Sequence, residues 1–208
     1  MYKVKFYTGD YRERQNQANA EKASVYIEHH FNASSNPYAN YSCVIVGSNA
    51  SKTSIAMADR YSDLVYQVLN VPQWDYDNDA SMDGVVVGGF NGRGDGNVKY
   101  TKMPAMLLEP CFASNPASAA IIVSEEGRQL LAEVLTKTIR EFVPDGGLVA
   151  FSVGHKYKRS HPGDRGASVN CEDPDPSDEL GHNEASYAED VLGRAKIMLE
   201  SDLSLSID

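Results

Sequence analysis

The sequence predicts an α/β fold: one domain, spanning 1-208, with a mainly parallel sheet covered by helices on both faces. Three observations carry this. Strand-sized segments alternate with helical patterns of about ten residues or more, the pattern that βαβ units produce. Gly84–Phe90 and Leu148–Gly154 are apolar stretches of strand length, and Leu148–Val153 reads as a buried strand of the kind a covered parallel sheet contains. The chain has 208 residues with no internal repeat and no linker long enough to divide it, and a chain of that size buries roughly 70% of its unfolded surface.

The elements follow in order. Lys3–Tyr7 alternates polar with apolar and reads as a strand. Arg12–Lys22 is a short polar helix, and Ser24–His29 a second strand with Val25 and Ile27 on one face. Asn32–Tyr41, rich in Asn, Ser, Ala and Pro, is loop, and Ser42–Val46 is the third strand. From Lys52 to Asn70, the residues Ile55, Ala58, Tyr61, Val65, Val68 and Leu69 recur at helical spacing. Val71–Gly84 is irregular, Val85–Val87 is a short strand, and Asn91–Asn97 is a Gly- and Asp-rich loop. Ala105–Leu108 is a strand that stops at Glu109-Pro110. Ser124, followed by Glu125 and Glu126, has the character of an N-cap with acids in the first turn. The helix after it carries Leu130, Leu131, Val134, Leu135, Ile139 and Phe142 on one face and ends at Pro144-Asp145-Gly146-Gly147. Leu148–Val153 is another buried strand, Gly154–Asn183 a long polar loop, and a last helix runs from Glu184 to about Glu200.

Composition narrows the function. With 42% hydrophobic and 23% charged residues the chain is not disordered. No apolar run approaches the ~20 residues of a membrane span, so no membrane insertion is expected. The opening Met1-Tyr2-Lys3-Val4-Lys5-Phe6 lacks a signal-peptide core. Asp and Glu number 29 against 19 Lys and Arg, a net charge of −10 that argues against nucleic acid as partner. The basic cluster Lys156-Tyr157-Lys158-Arg159 reads as a solvated loop. Cys43, Cys111 and Cys171 form neither a disulfide framework nor a Cys-based zinc site, and the first two read as reduced core residues.

Polar groups capable of chemistry stand where strands end. His29-His30 closes one strand, Glu109 a second, and Gly154-His155 a third, while Glu184 opens the last helix. In open parallel sheets, sites collect at the carboxyl ends of strands. Two imidazoles and a carboxylate are a ligand set for catalytic Zn²⁺, which lowers the pKa of water towards ~7 and polarises a carbonyl. A further carboxylate, free of metal, then serves as general base. The same residues also admit a purely structural account, as hydrogen-bonded strand-end histidines and a helix-start acid. No compact motif such as His-Glu-x-x-His decides between them.

A resemblance points one way. Met103–Asn115 (MPAMLLEPCFASN) resembles the "PAvLvE-x-GF-x-sN" signature of the zinc-dependent N-acetylmuramoyl-L-alanine amidases of the amidase_3 family. Arg14, Ala18-Asn19 and Ser24–Ala33 (SVYIEHHFNA) are similar to that family's "R…AN…fvSiHaNa" region. Val149–Ala167 (VAFSVGHKYKRSHPGDRGA) is similar to its opening "I-x-iDpGHGG…pGa-x-g", with Glu184 where a second zinc ligand follows.

The resemblance implies zinc ligands His155, Glu184 and His30, with Glu109 as catalytic base. His30 is preferred over His29 because His30-Phe31-Asn32-Ala33 matches H-a-N-a. It also implies peptidoglycan as substrate, the bond between N-acetylmuramic acid and L-alanine being the one cleaved. The loops Asn32–Tyr41, Val71–Gly84 and Asn91–Asn97 are expected to wall the site.

The order of these blocks is rotated relative to the family. Family members run from the Gly-His strand to the ligand Glu, the H-x-N strand and then the catalytic Glu; here the order is His30, Glu109, His155, Glu184. A circular permutation accounts for this, with the family's N-terminal part at 148-208 and its remainder at 1-142. Permutation is tolerated where termini are close and the cut is exposed.

Other positions depart too. Ser152-Val153-Gly154-His155-Lys156 replaces Asp-Pro-Gly-His-Gly, Glu28 replaces the Ser before H-x-N, and Ala167–Asn183 is long and acidic. Arg14 fits either the family Arg or an exposed helix salt bridge, and His161 and His182 are expected to be solvated. Two alternatives to the amidase are a non-catalytic cell-wall-binding module on the same scaffold and a zinc peptidase or amidase acting on another acylated peptide. With no signal sequence, an endolysin-like enzyme held in the cytoplasm until release to the wall is expected.

Overall fold

Among the described residues, six strands form one sheet in the order β1-β6-β2-β5-β3-β4. The computed structural model describes residues 1–75, 83–172, 177, 180–201 and 203–207. The strands are β1 (Tyr2–Phe6), β2 (Val25–His29), β3 (Cys43–Val46), β4 (Val85–Val87), β5 (Ala105–Glu109) and β6 (Gly147–Val153). All neighbours are parallel except β3 and β5, which run antiparallel with Cys43 opposite Glu109. The sheet is therefore mostly parallel, as expected.

The central trio decides where chemistry can occur. β2 lies between β6 and β5, parallel to both, with His29 paired to Val153 and to Leu108. The carboxyl ends of all three strands thus reach one edge of the sheet. Residues remote in sequence meet there for a topological reason.

Successive residues of a strand face opposite ways, and both faces are covered. On one face Val25, Ile27, Val149 and Phe151 pack against Leu131, Val134 and Leu135 and against Val191 and Leu192. These helical residues come from α4 (Glu125–Phe142) and α5 (Glu184–Ser201), with α2 (Lys52–Leu69) alongside. On the other face Tyr26, Ile45, Leu107 and Ala150 meet Ala18 of α1 (Tyr11–Ala20) and Val98, which follows a short 3₁₀ turn at Asp95–Asn97. Burial on both faces explains why β6 reads as an apolar run, whereas the apolar stretch around β4 forms a half-exposed edge strand with Val87 52% exposed.

Local signals set the helix limits. The Asp10 backbone N–H donates to Glu13 at 2.9 Å in a capping box at the start of α1. Ser51 caps α2, which ends at Asn70 in the left-handed region with φ 54°. One helix, α3 (Pro116–Val123), has no counterpart in the sequence reading. Its residues PASAAIIV are small or apolar on nearly every side, so no periodicity marks it. Its start signal was nonetheless present: Asn115 accepts from the Ala117 and Ser118 N–H groups, and Pro116 takes the first helical position. Ser124 ends α3 and also caps α4 through Gly127 N.

No helix among the described residues is long and apolar enough to cross a membrane. Cys43 and Cys111 are buried free thiols, and Cys171 is free and half-buried.

Candidate metal centre and catalytic cleft

Each candidate ligand is held by the backbone that precedes it. His30 follows β2 directly, and its N–H donates to Leu108 O at 2.9 Å, continuing the β2–β5 ladder by one step. His155 follows Gly154 beyond β6 and has φ 61°, a left-handed conformation that side chains adopt at a cost of ~1–3 kcal/mol. Glu184 opens α5, where the dipole favours an anion, and its N–H donates to Ala167 O at 2.8 Å.

These three side chains converge. His30 Nδ1 lies 3.0 Å and His155 Nε2 3.2 Å from the same Glu184 oxygen, Oε1. One donor atom from each residue falls within a 4.8 Å span, and this is the group of His, Cys, Asp and Glu among the described residues that is arranged to hold an ion. His30 and Glu184 are buried, and His155 is half-buried at the mouth.

Glycine shapes the cradle. A Cβ on Gly154 would come within 2.5 Å of the His30 ring. One on Gly166, which has φ +72°, would collide with the Glu184 carboxylate and come within 2.9 Å of His155 Cδ2. The donor set, two imidazole nitrogens and one carboxylate oxygen with an open side, fits catalytic zinc.

The outward nitrogens of both rings are also engaged. His155 Nδ1 lies 3.0 Å from Asp164, which accepts from Lys158 Nζ at 2.8 Å. His30 Nε2 lies 2.9 Å from Glu28.

Electrostatics reinforce the arrangement. Burial pulls against charge on His30, but Glu184 and Glu28 outweigh it and raise its pKa well above the usual range. His155 is raised too, Glu184 outweighing its burial. Burial alone would raise Glu184, yet the two imidazoles hold it down to about 2.

His29 behaves oppositely. It is fully buried with neither ring nitrogen hydrogen-bonded, and burial depresses its pKa to about 3. It faces the helical side with Ile27 and packs on the Phe31 ring at 4.9 Å, and it takes no part in the donor group. The one-residue offset between His29 and His30 selects which face each imidazole meets.

Glu109, the last residue of β5, lines the same cleft. Its Oε2 is buried without a hydrogen-bond partner, and burial raises its pKa to about 7, with the Glu184 charge adding and His30, His155 and Arg93 opposing. A carboxylate with unspent acceptor capacity and a near-neutral pKa suits general acid–base work.

The cleft encloses about 660 Å³. Segments 32–41 and 91–97 both line it, through residues such as Asn32, Tyr41, Arg93 and Asn97. The described residues of 71–84 do not; Trp74 stands behind the wall, tilted against Tyr41 and edge-to-face with Phe90, with centroids 4.8 and 5.2 Å away. Residues 76–82 of that segment lie outside the described residues, as do 173–176, 178 and 179 of the acidic interval.

Three readings need correction. Arg14 is not an exposed salt-bridge residue: it is fully buried, and its guanidinium donates to Gly9 O, Ser152 Oγ, Val153 O and Lys156 O. A polar helix read in isolation conceals that one turn faces the sheet.

The cluster 156–159 is ion-paired rather than merely solvated, Lys156 with Glu189, Lys158 with Asp164 and Arg159 with Glu13. His182 is half-buried between Tyr187 OH and Cys171 O, whereas His161 is exposed.

Asp164, Asn97 and Gly166 also belong to the site, but loop sequence carries no periodicity to single them out. Glu28 had a signal, a carboxylate inside a strand whose neighbours are apolar.

A trio that could hold an ion stands at the carboxyl edge of an open α/β sheet, with a further carboxylate in the same cleft, an arrangement that metal-dependent hydrolysis can use. The family can be named. The amidase_3 profile, N-acetylmuramoyl-L-alanine amidase, matches residues 2–141, and the chain belongs to that family.

Solved structures agree on the fold. The catalytic domain of CwlV, an N-acetylmuramoyl-L-alanine amidase from Bacillus (Paenibacillus) polymyxa var. colistinus, is similar with TM-score 0.51 and 23% identity, over 65% of this chain and 66% of that one. The N-acetylmuramoyl-L-alanine amidase of Clostridium difficile 630 matches at 0.53 and 20%, over 65% and 66%. That of Mycobacterium smegmatis matches at 0.53 and 22%, over 64% and 60%. The match spans just under two thirds of those chains. No curated protein sequence matches the chain.

Proposed function

We propose that the protein is a zinc-dependent hydrolase that cleaves the amide bond between N-acetylmuramic acid and L-alanine in peptidoglycan. The observation that carries this reading is the convergence of His30, His155 and Glu184 beside Glu109 in one cleft. His30 Nδ1, His155 Nε2 and the Glu184 carboxylate would hold the ion. Bound zinc supplies Lewis acidity that activates water and polarises the scissile carbonyl. Glu109 accepts the water proton and returns it to the departing alanine nitrogen. Tyr41, Phe90 and Phe112 offer apolar wall to the substrate, and Arg93 is the one Lys or Arg lining the cleft among the described residues.

The reading includes the rotated order of the chain. The family match ends at residue 141, and His155 and Glu184 come from the segment beyond it. The backbone N–H of Val4 in β1 donates to Glu200 near the end of α5 at 2.8 Å, so the segment that ends the chain lies against the one that begins it. Both features support a circular permutation.

Purified protein incubated with cell walls should release free L-alanine amino termini, and Glu109→Gln should abolish release while retaining zinc. Near-normal release by that variant would remove Glu109 from the reaction. Wall binding by the zinc-loaded wild type without any new amine would favour the non-catalytic module, and cleavage elsewhere in the muropeptide would favour the peptidase.

A further inference from the structure

Glu28 is a fully buried carboxylate in the middle strand of the sheet. Its oxygens meet four partners. Oε1 lies 2.9 Å from His30 Nε2 and accepts from Asn97 Nδ2 at 2.5 Å. Oε2 accepts from Ser152 Oγ at 3.0 Å and from the Tyr26 hydroxyl at 3.2 Å. Ser152 Oγ in turn receives Arg14 Nη1 at 2.8 Å. Nothing in the β2 ladder requires a carboxylate here, and burying one is costly unless its charge is used. Satisfying every lone pair around one imidazole contact is a construction aimed at that imidazole.

The geometry points to Glu28 as a positioning residue that sets the tautomer of His30 for metal binding. This rests on the reading of His30, His155 and Glu184 as an ion site. Glu28 Oε1 already accepts from Asn97 and lies 2.9 Å from His30 Nε2, so its contact with the ring is matched by a proton on Nε2. A ring that gives up its other proton to bind an ion then has its lone pair at Nδ1, the atom that faces Glu184 and the neighbouring His155. With Glu28 absent, the proton is free to occupy Nδ1 and block the ligand position. A carboxylate behind a ligand histidine also raises that ligand's basicity and fixes its plane. Asn97 extends the brace to the cleft wall, because the turn that carries it is anchored by Asp95, which accepts from Ser48 N at 2.7 Å and Lys99 Nζ at 2.7 Å.

The test compares zinc affinity, by competition with a chromophoric chelator, in wild type, Glu28→Gln and Tyr26→Phe, with circular dichroism on each. Glu28→Gln is expected to bind zinc about 10–100-fold more weakly. Tyr26→Phe, which removes a partner of the other oxygen only, is expected to stay within about twofold by the same reasoning. Equal affinity in Glu28→Gln and wild type overturns the inference while leaving the metal reading intact; absence of zinc binding by wild type overturns the metal reading itself.

A measurement on wild type covers the case in which Glu28→Gln does not fold. Long-range ¹H–¹⁵N correlation of the zinc-loaded protein is expected to show His30 protonated at Nε2 and ligated through Nδ1. The opposite assignment overturns the role of Glu28.

Discussion

Arg14 Nη1 donates to Ser152 Oγ at 2.8 Å across 138 residues of sequence, joining α1 to the strand that leads to His155. The same Nη1 also donates to the Val153 carbonyl, while Nε and Nη2 reach the carbonyls of Gly9 and Lys156, so one fork holds both sides of the turn that follows β6. An ammonium cannot span those acceptors. Arg14→Lys should therefore lower unfolding free energy by about 2–4 kcal/mol, read from urea denaturation. A loss below about 1 kcal/mol would show that the buried fork does little for the fold.

Metal content and stability should move together. The wild type should bind about one zinc per chain, and His155→Ala should lose it. At zinc 100-fold above its dissociation constant, binding should add about 2.7 kcal/mol to folding, which chelation removes. A melting temperature indifferent to zinc and chelator would argue against an ion at this site.

Glu109 should impose a pH-dependent cost on the metal-free fold. Burial raises its pKa from 4.5 to about 7, so the folded protein holds this proton more tightly than the unfolded chain does. Below about pH 4.5 both states are protonated and no cost arises; between there and about 7 the unfolded chain ionises first and stability falls. The stability advantage of metal-free Glu109→Gln over wild type should grow across that window to at most roughly 3 kcal/mol. A constant difference from pH 4.5 to 8 would place the carboxylate in a far more solvated setting.

Gly166 and Gly163 make a matched pair in one loop. Gly166 has φ +72° and no room beside Glu184, whereas a Cβ on Gly163 meets nothing within 4 Å. Gly166→Ala should abolish zinc binding and cost about 1–3 kcal/mol, while Gly163→Ala should be neutral in both assays. Equal behaviour would mean that the loop adapts and the cradle is not rigid.

Rejoining the chain tests the rotated order. A variant opened within Pro144–Gly147, with its C-terminus linked flexibly to Met1, should keep its circular dichroism and bind one zinc. Val4 N donates to Glu200 at 2.8 Å, so the two segments to be linked already lie together. Folding without zinc binding, or failure to fold, would show that the present connectivity is required.

Much of the fold was legible because burial on both faces leaves a strong trace. β5 and β6 announce themselves as apolar strands, and α2 and α4 as periodic stripes, the second begun by Ser124. α3 escaped because its residues are apolar nearly all round, and only Asn115-Pro116 betrayed its start. The strand-end histidines and acids were legible as candidates, since a polar side chain closing an apolar strand is conspicuous.

Sequence by itself determined the alternation of elements, the strand ends that carry His30, Glu109 and His155, and the family motifs around them. The motif favoured His30 over His29 and tertiary structure set His30 against Glu184; tertiary structure alone decided that Arg14 is interior and that Glu28 stands behind the His30 ring. The reason is physical. Periodicity reports which side of a strand or helix is apolar, but the meeting of residues more than a hundred positions apart depends on strand order and register, which local sequence does not encode.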